Sequence, residues 1–126
     1  MKPRILFAVL LAVLALGTAG PVAAQQKSHP AKMSAAKAKA FYPRFVYLLI
    51  ASFECAVFKV PAQMEEMSRL SELLYARANA SSEEMLKFSA PAKAEYNANQ
   101  EAFCRKYRQQ ALDFQKQVPR YMSRLQ

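Results

Sequence analysis

Residues 45–58 read FVYLLIASFECAVF. Apart from Ser52 and Glu54, every residue in that stretch is apolar. A helix that is apolar nearly all round belongs at the centre of a bundle rather than on its surface. It is also too short for a bilayer, which takes about 20 residues to cross. Pro61 stops it, because proline cannot continue a helix interior. On the other side Pro43 either starts this helix at its first position or kinks a longer one that includes the Ala/Lys stretch 34–39.

Pro61 also opens a second helix, expected over 61–78. Met64, Met67, Leu70, Leu74 and Ala78 recur there at helical spacing as one apolar stripe, with Glu65, Glu66 and Glu72 outside it. Asn79 can take the left-handed position that closes a helix. Ser81 with Glu84 three residues on is a capping box, so a third helix starts there. Pro91 is expected to end or kink that helix near Ser89, which gives a segment 82–89 and a long helix 92–118. Phe103, Tyr107, Ala111, Phe114, Val118, Tyr121 and Leu125 form a heptad-like seam on the last part, and Pro119 should bend or divide it.

Both glycines, Gly17 and Gly20, lie near the N-terminus. Without glycine the rest of the chain has few positions for tight hairpin turns, which need positive φ. Sustained period-two alternation is absent as well. The expected fold is all-α: a small bundle of three to four helical segments.

Lys2 and Arg4 precede an apolar run, Ile5 to Leu16, followed by Gly17, Gly20, Pro21 and the small residues Ala23 and Ala24. That order is a cleavable signal peptide over 1–24. It predicts export, to the periplasm or fully secreted, and no spanning segment after cleavage. Residues 25–33 are expected as a flexible tail, and 34–126 as the helical domain.

In an oxidising compartment Cys55 and Cys104, the only cysteines, should form one disulfide. The pairing tests the layout. With three helices up, down and up, Cys55 lies about 20 Å above the bottom of the bundle. Cys104 would lie at about 33 Å on a straight helix from 82, but at about 18 Å if the climb starts near Ala92. Four segments are therefore favoured. The same arithmetic carries the seam after about residue 110 past the top of the second helix. There a bend at Pro119, a second copy, a partner protein or a membrane surface would have to cover it.

After cleavage sixteen of the eighteen Lys and Arg remain with all nine acids, a formal charge of +7. Arg105, Lys106, Arg108, Lys116, Arg120 and Arg124 cluster at the C-terminus against Asp113 alone, while 60–101 holds seven Glu against four basic residues. Export argues against nucleic acid as the partner. It leaves lipid headgroups, envelope polymers and acidic proteins. With Phe114 and Tyr121, the basic cluster is the expected binding surface for a protein or anionic envelope component; a homodimer is the other expected association.

Chemistry is scarce. His29, the only His, lies in the tail, and Asp113 is the only Asp, so no nucleophile–base pair or zinc-ligand spacing occurs. No cofactor, no metal and no enzymatic activity are expected. Glu54, inside the most apolar helix, is expected to be buried and paired with Arg105 or Arg108. Met64 and Met67 leave a Cu(I) carrier as a distant alternative. In its helical makeup, export and single long-loop disulfide the chain resembles small periplasmic acid-stress chaperones. The resemblance covers architecture and cysteine spacing only. It implies a protein that opens at low pH.

Overall fold

A computed structural model describes residues 31–126; the expected signal peptide and most of the expected tail lie outside the described residues. Five helices and no strand occur among the described residues: α1 (Ala35–Glu54), α2 (Pro61–Ala78), α3 (Ser82–Ala98), α4 (Gln100–Gln115) and α5 (Val118–Leu125).

Ser34 starts α1, its hydroxyl accepting from the Lys37 N–H at 3.1 Å. The helix runs through Pro43 and ends three turns later at Glu54, short of the expected Phe58. Cys55 caps it, and Ala56 follows with φ at 56°. The left-handed conformation costs alanine about 1–2 kcal/mol, so Ala56 needs support from its surroundings. Among the described residues Ser52 is the one buried polar side chain in the core, and its hydroxyl donates to the Leu48 carbonyl at 2.7 Å.

The second helix has the bounds the sequence predicts, and Asn79 closes it at φ 50° and ψ 42°. The stripe differs at one place. Met67, Leu70, Leu74 and Ala78 are buried, but Met64 is 47% exposed. The capping box at Ser81 and Glu84 also forms: Ser81 Oγ accepts from the Glu84 N–H at 3.1 Å and Glu84 Oε1 from the Ser81 N–H at 3.2 Å.

The expected division near Ser89 is not there. Helix α3 continues through Pro91 to Ala98. Pro91 is exposed, so the carbonyl its ring leaves unpaired can be hydrated, and the helix tolerates the loss. The break falls at Asn99 instead. Its backbone is extended at φ −162° and ψ 97°, it ends α3 and it caps α4, its Oδ1 accepting from the Ala102 N–H at 3.0 Å. Asparagine is among the best N-cap residues. Pro119 does divide the last seam, sitting at the second position of α5.

Asn99 reverses the chain. Helix α3 climbs beside α1: Glu84 pairs with Lys39, the Phe88 ring lies 6.4 Å from Tyr42, and Tyr96 reaches Glu54. Helix α4 then descends across α1. Its Phe103 and Tyr107 rings lie 6.3 and 5.0 Å from Tyr47, and its Phe114 lies 6.0 Å from both Phe41 and Phe45. The expected climb of 92–118 past the top of the second helix is therefore wrong. The end of the seam folds back inward, and Phe114, Val118 and Leu125 are buried.

The disulfide joins Cys55, at the top of α1, to Cys104, one turn below the reversal, with Cα atoms 5.3 Å apart. The end of the tail is pinned rather than loose. Met33 is 3% exposed, its N–H donates to the Arg124 carbonyl at 2.9 Å, and its carbonyl accepts from Arg77. Among the described residues no helix is long and apolar enough to cross a membrane.

Candidate functional site

The expected basic surface splits into parts with different jobs. Arg105 pairs with Glu101 at 2.8 Å on its own helix. Lys106 bridges to Glu95 on α3 at 3.1 Å and sits 5.1 Å from the centre of the Tyr107 ring. The Tyr107 hydroxyl first, and Lys106 after it, hold the Glu95 carboxyl below its usual range. These two contacts clasp the arms of the Asn99 reversal. Arg108 Nε donates to the Cys55 carbonyl at 3.1 Å and its Nη2 to the Ala56 carbonyl at 3.4 Å. It thereby braces the strained end of α1.

Phe114 is 5% exposed and belongs to the core. Tyr121 is half-buried, stacked on Phe41 at 5.3 Å. Neither can form an exposed apolar stripe. Arg124 is half-buried and its carbonyl holds Met33, while Lys116 and Arg120 are exposed. Glu54 is not buried and pairs with neither Arg105 nor Arg108. It stands at the open end of α1, exposed, and accepts from the Tyr96 hydroxyl at 3.3 Å. Arg108 spends its donors on the carbonyls beside it.

Lys116 instead belongs to a depression of about 420 Å³ between α4 and the start of α2, lined by Val57, Lys59, Gln63, Gln109, Leu112, Gln115 and Lys116. No carboxylate is in that lining. Gln63 Oε1 is engaged, accepting from the Lys59 N–H at 2.7 Å, and Gln109 Nε2 donates to Asp113 at 3.1 Å. Gln115 Nε2 is different: it is buried and has no hydrogen-bond partner. A buried amide donor left unpaired is costly, about 1–3 kcal/mol, and asks for an acceptor. Two ammonium groups beside Val57 and Leu112, with that donor buried behind them, suit an anionic, oxygen-rich group attached to something apolar. Sequence reasoning found Lys116 but missed Lys59 and Gln115, because the depression exists only once α4 has turned back past residues 57–63.

A second surface lies along the upper part of α1, beside α3. At about 100° per residue, Tyr42, Val46, Leu49 and Phe53 share one stripe of α1. Its lower part is covered: the Tyr42 hydroxyl bonds Ser71 of α2 and is pushed up by burial, while its ring meets Phe88 of α3. The upper part opens into a groove of about 250 Å³ lined by Leu49, Ile50, Phe53, Glu54, Lys93, Tyr96 and Asn97. Five large apolar residues stay exposed in the described chain: Phe53 41%, Val60 51%, Met64 47%, Tyr75 47% and Leu86 66%. Met64 and Tyr75 share a stripe of α2 with Ser71, and Leu86 shares one of α3 with Lys93 and Asn97. Phe53 lines the groove, whereas Met64 lines a separate depression on α2 with Glu65, Ser68, Arg69, Glu72 and Leu73.

Among the described residues no three of His, Cys, Asp and Glu come close enough to hold a metal ion. No family model matches the chain, nor does any curated protein or solved structure.

Proposed function

We propose that this is an exported, non-enzymatic helical protein that binds an anionic component of the cell envelope through the basic C-terminal part of the chain. The binding place is the depression beside Lys59 and Lys116. One observation carries the reading: Lys59 and Lys116 line a depression that holds no carboxylate, beside Gln115, whose buried amide donor has no hydrogen-bond partner. The scarcity of nucleophile–base pairs in the sequence supports a binding role over an enzymatic one.

The anion can be a phosphate or a carboxylate, and the test separates them. The chain from residue 25 is labelled with 15N and titrated with phosphatidylglycerol vesicles and, separately, with polygalacturonate. The expected result is a shift of the Gln115 side-chain amide with one probe, stronger at low salt, where charges are less screened. The double variant Lys59→Gln, Lys116→Gln should weaken that binding about tenfold or more and leave the fold intact, since exposed charges contribute little to stability. If the Gln115 amide stays still with both probes, the reading is wrong.

A second reading, a stress chaperone that opens at low pH, has one observation in its favour. Glu84 and Glu95 are both held below the usual carboxylate range, Glu84 chiefly by Lys39 and Glu95 chiefly by Tyr107. A lowered folded-state value means stability present above the ordinary glutamate value of 4.5 and lost as pH falls through the folded value. Opening of this kind belongs below about pH 4.5, so apolar-dye binding that rises already near pH 6 needs another cause.

A further inference from the structure

We infer that the Cys55–Cys104 disulfide controls the anion-binding depression: oxidised, it holds the two walls together, and its reduction by a dithiol lets them part and releases the anion. The inference rests on the depression being the binding place, and adds what regulates it.

The walls come from two stretches of chain. Val57, Lys59 and Gln63 form one; Gln109, Leu112, Gln115 and Lys116, on α4 and its cap, form the other. Little besides the disulfide ties them. Helix α2 packs along α1 and against α5, but not along α4. Among residues 56–60 only Val57 is buried, in a cluster with Cys55, Phe103 and Ala111. Among the described residues the hydrogen bonds from α4 to 55–63 are those of Arg108 to the Cys55 and Ala56 carbonyls. Both acceptors lie at or next to the bridged cysteine, so these bonds depend on the bridge.

The backbone gives the loop somewhere to go. Ala56 sits at φ 56°, between the bridged Cys55 and the buried Val57. A residue other than glycine stays left-handed only where its surroundings hold it there. Without the bridge Ala56 can return to negative φ. That redirects the chain at Val57 and carries Lys59 away from Lys116 and Gln115, so the two ammonium groups no longer face one anion.

Access favours one direction of attack. Cys55 is 5% exposed, whereas Cys104 is half-buried. A thiolate of the dithiol attacks Cys104 Sγ, a new S–S bond forms to the reductant, and Cys55 leaves as a thiolate. The Arg108 guanidinium at the Cys55 carbonyl favours that anion, which then takes a proton. The reductant's second thiolate attacks its own sulfur in the mixed disulfide and expels Cys104, which is protonated in turn. Net, two electrons and two protons pass to the protein, and the dithiol becomes a disulfide.

Coupling runs both ways. If the oxidised form binds the anion about tenfold more tightly, bound anion makes the disulfide harder to reduce by the same factor. For a two-electron couple that is about 30 mV.

The test compares the oxidised chain from residue 25 with the chain reduced by excess dithiothreitol. Each is titrated with phosphatidylglycerol vesicles and with polygalacturonate. Reduction should weaken binding of the probe that the oxidised form takes by about tenfold or more. Without a probe, amide hydrogen exchange over 56–63 should quicken about tenfold on reduction and stay slow at Leu70 and Leu74 in the core. In a dithiothreitol redox buffer, saturating probe should favour the disulfide about tenfold, and should not do so in the variant Lys59→Gln, Lys116→Gln. Equal binding by both forms, or exchange over 56–63 that reduction leaves unchanged, would overturn the proposal. So would core amides that quicken with the loop, because reduction then unfolds the whole protein. An oxidised form that binds neither probe would sink the anion reading itself, and the control of that site with it.

Discussion

Two surfaces at the upper end of α1 differ in character. The depression beside Gln63 is lined by ammonium groups and amides; the groove between α1 and α3 is floored by Leu49, Ile50 and Phe53. The depression is polar because its walls come from the loop after α1 and the outward side of α4, where side chains are long and solvated. The groove is apolar because its floor is the central helix itself, left partly uncovered. An exposed apolar residue therefore means different things on the two sides of one helix. In the depression Leu112 is the floor for a polar ligand. In the groove Phe53 is a part of the central helix that its neighbours leave 41% exposed.

The sharpest way to break the comparison is to truncate one phenylalanine from the inside and one from the groove. Phe114→Ala removes a ring packed against Phe41, Phe45 and Tyr121, and should cost about 3–5 kcal/mol by urea unfolding. Phe53→Ala at low protein concentration should cost well under half of that, because 41% of the residue is already in water. Equal losses would mean that the groove is closed in solution.

Next comes the disulfide. Cys55→Ser with Cys104→Ser opens a long loop and should cost up to about 4 kcal/mol, read as a lower unfolding midpoint. It should disturb the depression more than the groove's closed end, because residues 57–63 hang from Cys55 whereas Tyr42, Ser71 and Phe88 do not.

A smaller effect is expected at the reversal. Asn99→Ala removes the side-chain cap on Ala102 and should cost about 1 kcal/mol. If α3 and α4 instead fuse into one helix, Cys104 moves away from Cys55 and free thiols appear, which thiol titration would detect. The smallest change has the opposite sign. Ala56→Gly relieves the positive φ and should raise stability by under about 1 kcal/mol, sharpening the depression's signals without touching the groove.

Local signals were the legible ones. The bounds of α2, the closing role of Asn79, the Ser81–Glu84 box and the cysteine pairing all rest on chemistry within a few residues or on a pair with no rival. The reversal at Asn99 carried a local signal too, an asparagine ahead of a helix-forming run. Pro91 outweighed it, since a proline reads as a break whichever way it faces, and only the fold shows that it faces water. That one misplaced break sent the seam upward and made Phe114 an interface residue. Glu54 was misjudged because its apolar sequence neighbours do not surround it in space. Lys59, Gln115 and the groove could not be read at all, since each depends on which segments the reversal brings together.

The Cys55–Cys104 bond has a topological consequence. The ring it closes contains the whole of α2 and α3 and the connection between them, where Asn79 and Ser81 are exposed. A protease that cuts at that connection would release no fragment. The two pieces would stay one covalent molecule, of unchanged mass apart from one added water, until a reductant parts them.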